Sequence, residues 1–233
     1  MFQLEVCVDS LEGVEIAMRS GATRIELSDR LSVGGITPPK QLMIETLRIS
    51  HIPIVALIRC RPGNFAYTLD EKQEMYRQCE EVMELGVHAI AVGAHTPTST
   101  QSGRELDWEF LDSIANRFSA VELVVHRAFD QVQDPIGSAS RLGELGFHRI
   151  LTSGGPAHAE EGLDVIRELQ SARKIEILPA GGIGSHNAAH ILTTTRCTQL
   201  HGSFRKKLAS TGKFSSLPDP NEIKQVLFAF QHQ

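Results

Sequence analysis

Three side chains that can carry a proton or an electron pair open the chain at spacings of two: Glu5, Cys7 and Asp9. In an extended segment that spacing puts them on one face. Glu26 and Ser28 share a face in the same way, in the run RIELS. The stretch VALIRCRPGNF, 55–65, ends in two arginines flanking a cysteine. Alternation sends Arg59 and Arg61 to one side and Cys60 to the other, so the two guanidinium groups could grip a carboxylate or a phosphate. HRAFD adds His126, Arg127 and Asp130, and LHGS adds His201. Among these, Glu5, Asp9, Glu26, His126, Asp130 and His201 are the candidates for acid–base work.

Three glycine-bearing stretches extend the anion reading. TSGG carries Ser153, Gly154 and Gly155, AGG carries Gly181 and Gly182, and HGS carries Gly202 and Ser203. Glycine lets backbone N–H groups approach a ligand closely, and a following helix N-terminus favours negative charge. With Arg59, Arg61 and Arg127, they predict a small anionic ligand. Each group also has a plainer role: Glu5 and Glu26 could pair with Arg59 or Arg127 as buried structural ion pairs, and the glycines could simply turn the chain. Cu(I) prefers sulfur ligands. The four cysteines, Cys7, Cys60, Cys79 and Cys197, form no C-x-x-C pair; Cys7 lies on an inward face, where one thiol by itself makes a poor metal site.

Strands are expected near 4–9, 24–28, 53–59, 89–94, 122–127, 149–153, 175–180 and 199–203, with helical patterns between them. Three helices run into small units, RSGATRIEL, ELGVHAIAV and ELGFHRILT, with Gly21, Gly86 and Gly146 placed to end them in a left-handed conformation. Eight such β–α units predict a single (β/α)8 barrel of the TIM type with parallel strands, spanning 1–233 as one domain. An open doubly wound sheet is the alternative, though five or six strands suit it better. A barrel gathers functional groups at the C-terminal ends of its strands, where the polar residues above fall. The polar stretch 93–107 should lie over the barrel mouth. SSLPDP should break the chain, and Asp219 and Pro220 should then start a final helix. Ser185 should cap the helix after AGGIG.

A net charge of −5 gives no electrostatic case for nucleic acid or an anionic membrane surface. No apolar run is long enough to span a bilayer, and MFQLEVCVDS lacks the pattern of a secretion signal. Widely spaced cysteines suit a reducing compartment, so a cytoplasmic protein is expected.

The motifs LEVCVDSLEG, RIELSDRLSVGGITP, IRCRPGNFAYT, VVHRAFD, RILTSGGP, LPAGGI and LHGSFR occur in order over about 3–205. Together they resemble the CutC family of copper homeostasis proteins. The resemblance implies a cytoplasmic TIM barrel that forms a homo-oligomer (a dimer or tetramer), takes part in copper homeostasis and binds Cu(I) weakly through Cys7. The cysteine the family often carries after its Glu-Leu pair is Ser28 here, and Cys60 stands where a proline is usual. The alternative, drawn from the residues alone, is a barrel enzyme acting on a small anionic metabolite, phosphorylated or carboxylate.

Overall fold

The computed structural model describes residues 2–97, 104–207, 212 and 214–231. Eight short parallel strands carry the fold: β1 (Gln3–Val8), β2 (Arg24–Leu27), β3 (Ile54–Leu57), β4 (Ala89–Val92), β5 (Glu122–Val125), β6 (Arg149–Thr152), β7 (Glu176–Pro179) and β8 (Gln199–Gly202). They run in the order β7-β6-β5-β4-β3-β2-β1-β8, each paired in parallel with its neighbour. This is the expected TIM-type barrel. Strands β7 and β8 meet at a seam that no backbone ladder closes among the described residues. There the Gln199 amide donates to the Ile177 carbonyl at 3.2 Å.

The helices are α1 (Leu11–Arg19), α2 (Lys40–Ile49), α3 (Leu69–Glu84), α4 (Trp108–Arg117), α5 (Pro135–Glu144), α6 (Leu163–Ala172), α7 (Ala188–Thr195) and α8 (Pro220–Gln231). Local chemistry starts several of them. Ser10 accepts from Gly13 N–H, Thr68 and Glu71 form a reciprocal capping box, and Asp134 precedes Pro135. Gly21, Gly86 and Gly146 take positive φ at the expected helix ends. Asp219 accepts from Asn221 N–H at the start of α8.

Two local expectations are corrected. SSLPDP does not merely break the chain: β10 (Phe214–Pro218) pairs antiparallel with β9 (Arg205–Lys207). Ser185 does not cap α7; it bonds to Glu222 on α8 through both its N–H and its hydroxyl, and Asn187 precedes the helix. Residues 98–103 of the stretch expected over the barrel mouth lie outside the described residues. Its ends are held by backbone bonds from His95 to Phe65 and from Thr96 to Glu105.

Outward-facing strand residues and the helices form one large apolar layer. Inside the barrel the filling is divided. Val55, Leu57, Ala89, Ala91, Val124, Leu151, Leu178 and Ala180 form a separate apolar cluster on the β3–β7 side. The β8–β1–β2 side is lined instead by buried Glu5, Arg24, Glu26, Gln199 and His201. Polar groups inside a barrel must be paired, and their partners define the site.

Candidate functional site

Strand register places the polar interior. On β1, Glu5 lies opposite Arg24 of β2 and His201 of β8, and Cys7 lies opposite Glu26. Glu5 sits between two cationic partners. One carboxylate oxygen accepts from Arg24 Nε, and the other lies 2.7 Å from His201 Nδ1. Arg24 also bonds to Gln3 and, at 3.0 Å, to Gln199, which in turn crosses the seam to β7. Burial alone would raise the Glu5 carboxyl, but Arg24 and the His201 bond outweigh it and hold it well below the usual carboxylate range. Glu5 therefore pairs with Arg24, and neither Arg59 nor Arg127 takes the structural role considered for them.

One step nearer the barrel mouth, Cys7 Sγ, a Glu26 carboxylate oxygen and a His201 ring nitrogen lie within 4.8 Å of one another. All three residues are buried. They are the one group of metal-capable side chains of this kind found among the described residues. His201 Nε2 lies 3.8 Å from Glu26 Oε2. With Glu5 ionised, His201 donates through Nδ1, and Nε2 turns toward Cys7 and Glu26. Burial raises the Glu26 carboxyl to about 7, with Glu5 adding to the effect and His201 and Arg24 opposing it. Burial works against the His201 imidazolium, yet Cys7, Glu26 and Glu5 together raise it well above its ordinary value.

The other sequence candidates fall in three places. Asp9 accepts from Leu31 N–H at 2.9 Å and from Arg205 at 2.6 Å, joining β1 to the segment after β2 and to β9. At the ends of β5 and β6, Arg127 pairs with Asp130 at 2.7 Å and donates to Ser153 Oγ at 3.0 Å and the Ala157 carbonyl at 3.1 Å. Asp130 also accepts from Thr152 and from Ser153 N–H, so Arg127, Asp130 and Ser153 form one knot with the loop that holds Gly154 and Gly155. Gly181 and Gly182 have positive φ; a Cβ at Gly181 would meet the Ala157 carbonyl at 2.9 Å and one at Gly182 the His158 ring at 2.3 Å. Their close approach is thus to the 153–158 loop. Gly202 packs on the Phe204 ring, and Ser203 follows it, half-buried.

The third place is the end of β3. Arg59 is buried and donates to the carbonyls of Gly35, Gly34 and Gly63. Arg61 pairs with Glu71 and lies over the Tyr67 ring. The two arginines are therefore not a joint grip: β3 stops at Leu57, and the bend after it separates them. Cys60 packs against the outer apolar layer, the side expected of it although β3 has already ended, with its thiol pushed up by burial. His126 lies close by, buried, its ring 4.9 Å from Phe65.

Sequence reasoning missed Arg24 and Gln199 as partners of this lining. Their spacing was available, since Arg24 alternates with Glu26 and Gln199 with His201. It also missed His95, Phe65 and Tyr67, which sit in loops where no periodicity marks them.

The profile of the CutC family matches residues 2–206. The chain belongs to the CutC family. A human relative, the copper homeostasis protein cutC homolog, is 37% identical over 215 residues, covering 91% of this chain and 77% of the relative. A CutC family protein of Pasteurella multocida (strain Pm70) is 35% identical over 201 residues, covering 85% and 80%. The crystal structure of CutC from Streptococcus agalactiae superposes with a TM-score of 0.80 at 30% identity, covering 87% of this chain and 99% of that one. The family is named for copper homeostasis, and the barrel is its fold. Among the described residues no helix is long and apolar enough to cross a membrane.

Proposed function

We propose that this protein takes part in copper homeostasis by binding Cu(I) as cargo inside the barrel, on Cys7 and His201 with Glu26 beside them. The observation that carries the reading is the approach of Cys7 Sγ, a His201 nitrogen and a Glu26 oxygen to within 4.8 Å of one another. Thiolate and neutral imidazole suit copper, so binding has to displace the Cys7 proton and the His201 Nε2 proton, whereas the Glu26 carboxylate is a harder and weaker donor for Cu(I). Glu5 completes the fit. A carboxylate on the far nitrogen of a ligating histidine fixes the ring and raises its basicity, and Glu5 Oε1 stands at that position. Arg24 keeps Glu5 ionised and in place.

Ser28 does not supply a second sulfur; its hydroxyl lies 3.4 Å from the Val8 carbonyl. A site with one thiolate is consistent with weak, exchangeable binding. Four free cysteines suit a reducing compartment, which accords with a cytoplasmic place of action. Anaerobic titration with Cu(I) against a competing chelator tests the reading. Wild type should bind one equivalent, and Cys7→Ser should bind at least about tenfold more weakly. No stoichiometric binding, or equal affinity in both, overturns it.

A further inference from the structure

Arg24, Arg59 and Arg149 are the buried arginines among the described residues. Arg24 pairs with Glu5, and Arg149 with Glu122 and Glu176. Arg59 has no carboxylate partner among the described residues. Its terminal nitrogens donate to neutral carbonyls in the two loops that follow β2 and β3, and its Nε–H is buried with no partner. A buried cation without a counter-charge is costly, and so is a buried donor without an acceptor.

Two more buried donors without an acceptor lie near the same guanidinium, whose charge acts on both. His126 Nδ1 accepts from Ala128 N–H at 3.2 Å, which puts the ring proton on Nε2; that Nε2–H is buried and bonds to nothing. Burial first, and then the Arg59 charge, push His126 down to about 3, so it presents a neutral N–H donor at ordinary pH. The buried Tyr67 hydroxyl lies against Arg59, from which its oxygen can accept, and its own O–H has no acceptor among the described residues. Phe65 joins the set: its ring lies 5.0 Å from Arg59 Cζ and 4.9 Å from the His126 ring. Phe65 itself is half-buried and follows the exposed residues Pro62 to Asn64. His95 uses its Nε2 on the Ala128 carbonyl and adds no donor.

We propose that Arg59, His126 and Tyr67 form an oxyanion site at the C-terminal ends of β3 and β5, which takes the carboxylate or phosphate group of a small metabolite. One positive charge and three unpartnered donors call for a negatively charged acceptor, and an oxyanion supplies the missing counter-charge and the missing acceptor together. The strand ends are where this fold takes its ligands. The site is separate from Cys7, Glu26 and His201 and stands whether or not copper binds there.

Metal-free protein, kept with a chelator, is titrated with inorganic phosphate and with acetate and followed by thermal shift and calorimetry. Wild type should show a saturable rise in melting temperature with at least one probe, beyond that produced by sodium chloride at equal ionic strength. The probe that binds separates a phosphate from a carboxylate ligand. His126→Asn keeps an acceptor for Ala128 N–H but removes the Nε2 donor, and Tyr67→Phe removes only a hydroxyl. Each should weaken binding at least about tenfold. Arg77→Gln, on the exposed face of α3, should bind as wild type does. Arg59→Gln should abolish binding, but it also cuts the loop carbonyl bonds, so His126→Asn and Tyr67→Phe decide. No saturable binding of either probe, equal affinity in those two variants and wild type, or a crystal structure grown in phosphate with only a water at Arg59 Nε would each overturn the proposal.

Discussion

Replacing Arg24 by methionine tests how the polar half of the barrel is held together. The variant keeps most of the side chain's volume and removes its charge. Glu5 then loses the partner of one oxygen, and the Gln3 and Gln199 amide oxygens lose their donor. Removing one member of a buried ion pair costs about 3–5 kcal/mol. His201 still holds the other Glu5 oxygen, so the lower end, about 3 kcal/mol, is expected. Unfolding entropy near 2.1 cal/mol/K per residue gives about 0.5 kcal/mol/K for 233 residues, hence a fall in Tm of about 6 °C. Urea unfolding at pH 7, followed through the single tryptophan, Trp108, reads the free energy. Adding Glu5→Gln removes the carboxylate that has lost one of its two cationic partners and leaves an oxygen for His201 Nδ1–H. The double variant should recover at least about 1 kcal/mol over Arg24→Met. A loss under about 1 kcal/mol for Arg24→Met, or a further loss in the double variant, would refute the reasoning.

Three further outcomes are expected. His126 titrates near 3 in the folded protein against 6.5 when free, so below pH 6.5 the unfolded chain takes up a proton that the folded chain refuses, and stability falls with pH. From pH 7.5 to pH 5 this contributes a loss of about 2 kcal/mol, which should be missing in His126→Asn; equal losses in urea melts of the two proteins would contradict it. Gly154→Ala should destabilise by at least about 1–3 kcal/mol, because φ is +77° and a Cβ would stand 2.4 Å from the Gly162 carbonyl oxygen; an unchanged Tm would refute this. Cys60→Ser should leave Cu(I) affinity within about twofold in the chelator competition, since Cys60 packs in the outer layer away from His201 and Glu26.

Alternation of residue types made the barrel legible, and with it the inward direction of Glu5, Cys7 and Glu26. What alternation cannot supply is the neighbour across the strand. Glu5 meets Arg24 and His201 because of parallel register between segments 19 and 196 residues apart. For the same reason Cys7, Glu26 and His201 were separate candidates in the sequence and one cluster in space. Arg59 and Arg61 were misplaced as a pair because β3 ends two residues before Arg59, and alternation has no force beyond a strand. The antiparallel pairing of β9 with β10 is not legible in the sequence because SSLPDP has turn-like composition, although Phe214–Pro218 is extended.

X-ray absorption spectroscopy on the protein loaded anaerobically with one equivalent of Cu(I) tests the central claim most directly. The account predicts a first shell of one sulfur and one imidazole nitrogen, with the sulfur lost in Cys7→Ser and the imidazole lost in His201→Ala. A shell of two or more sulfurs, or a spectrum unchanged by both substitutions, would contradict it.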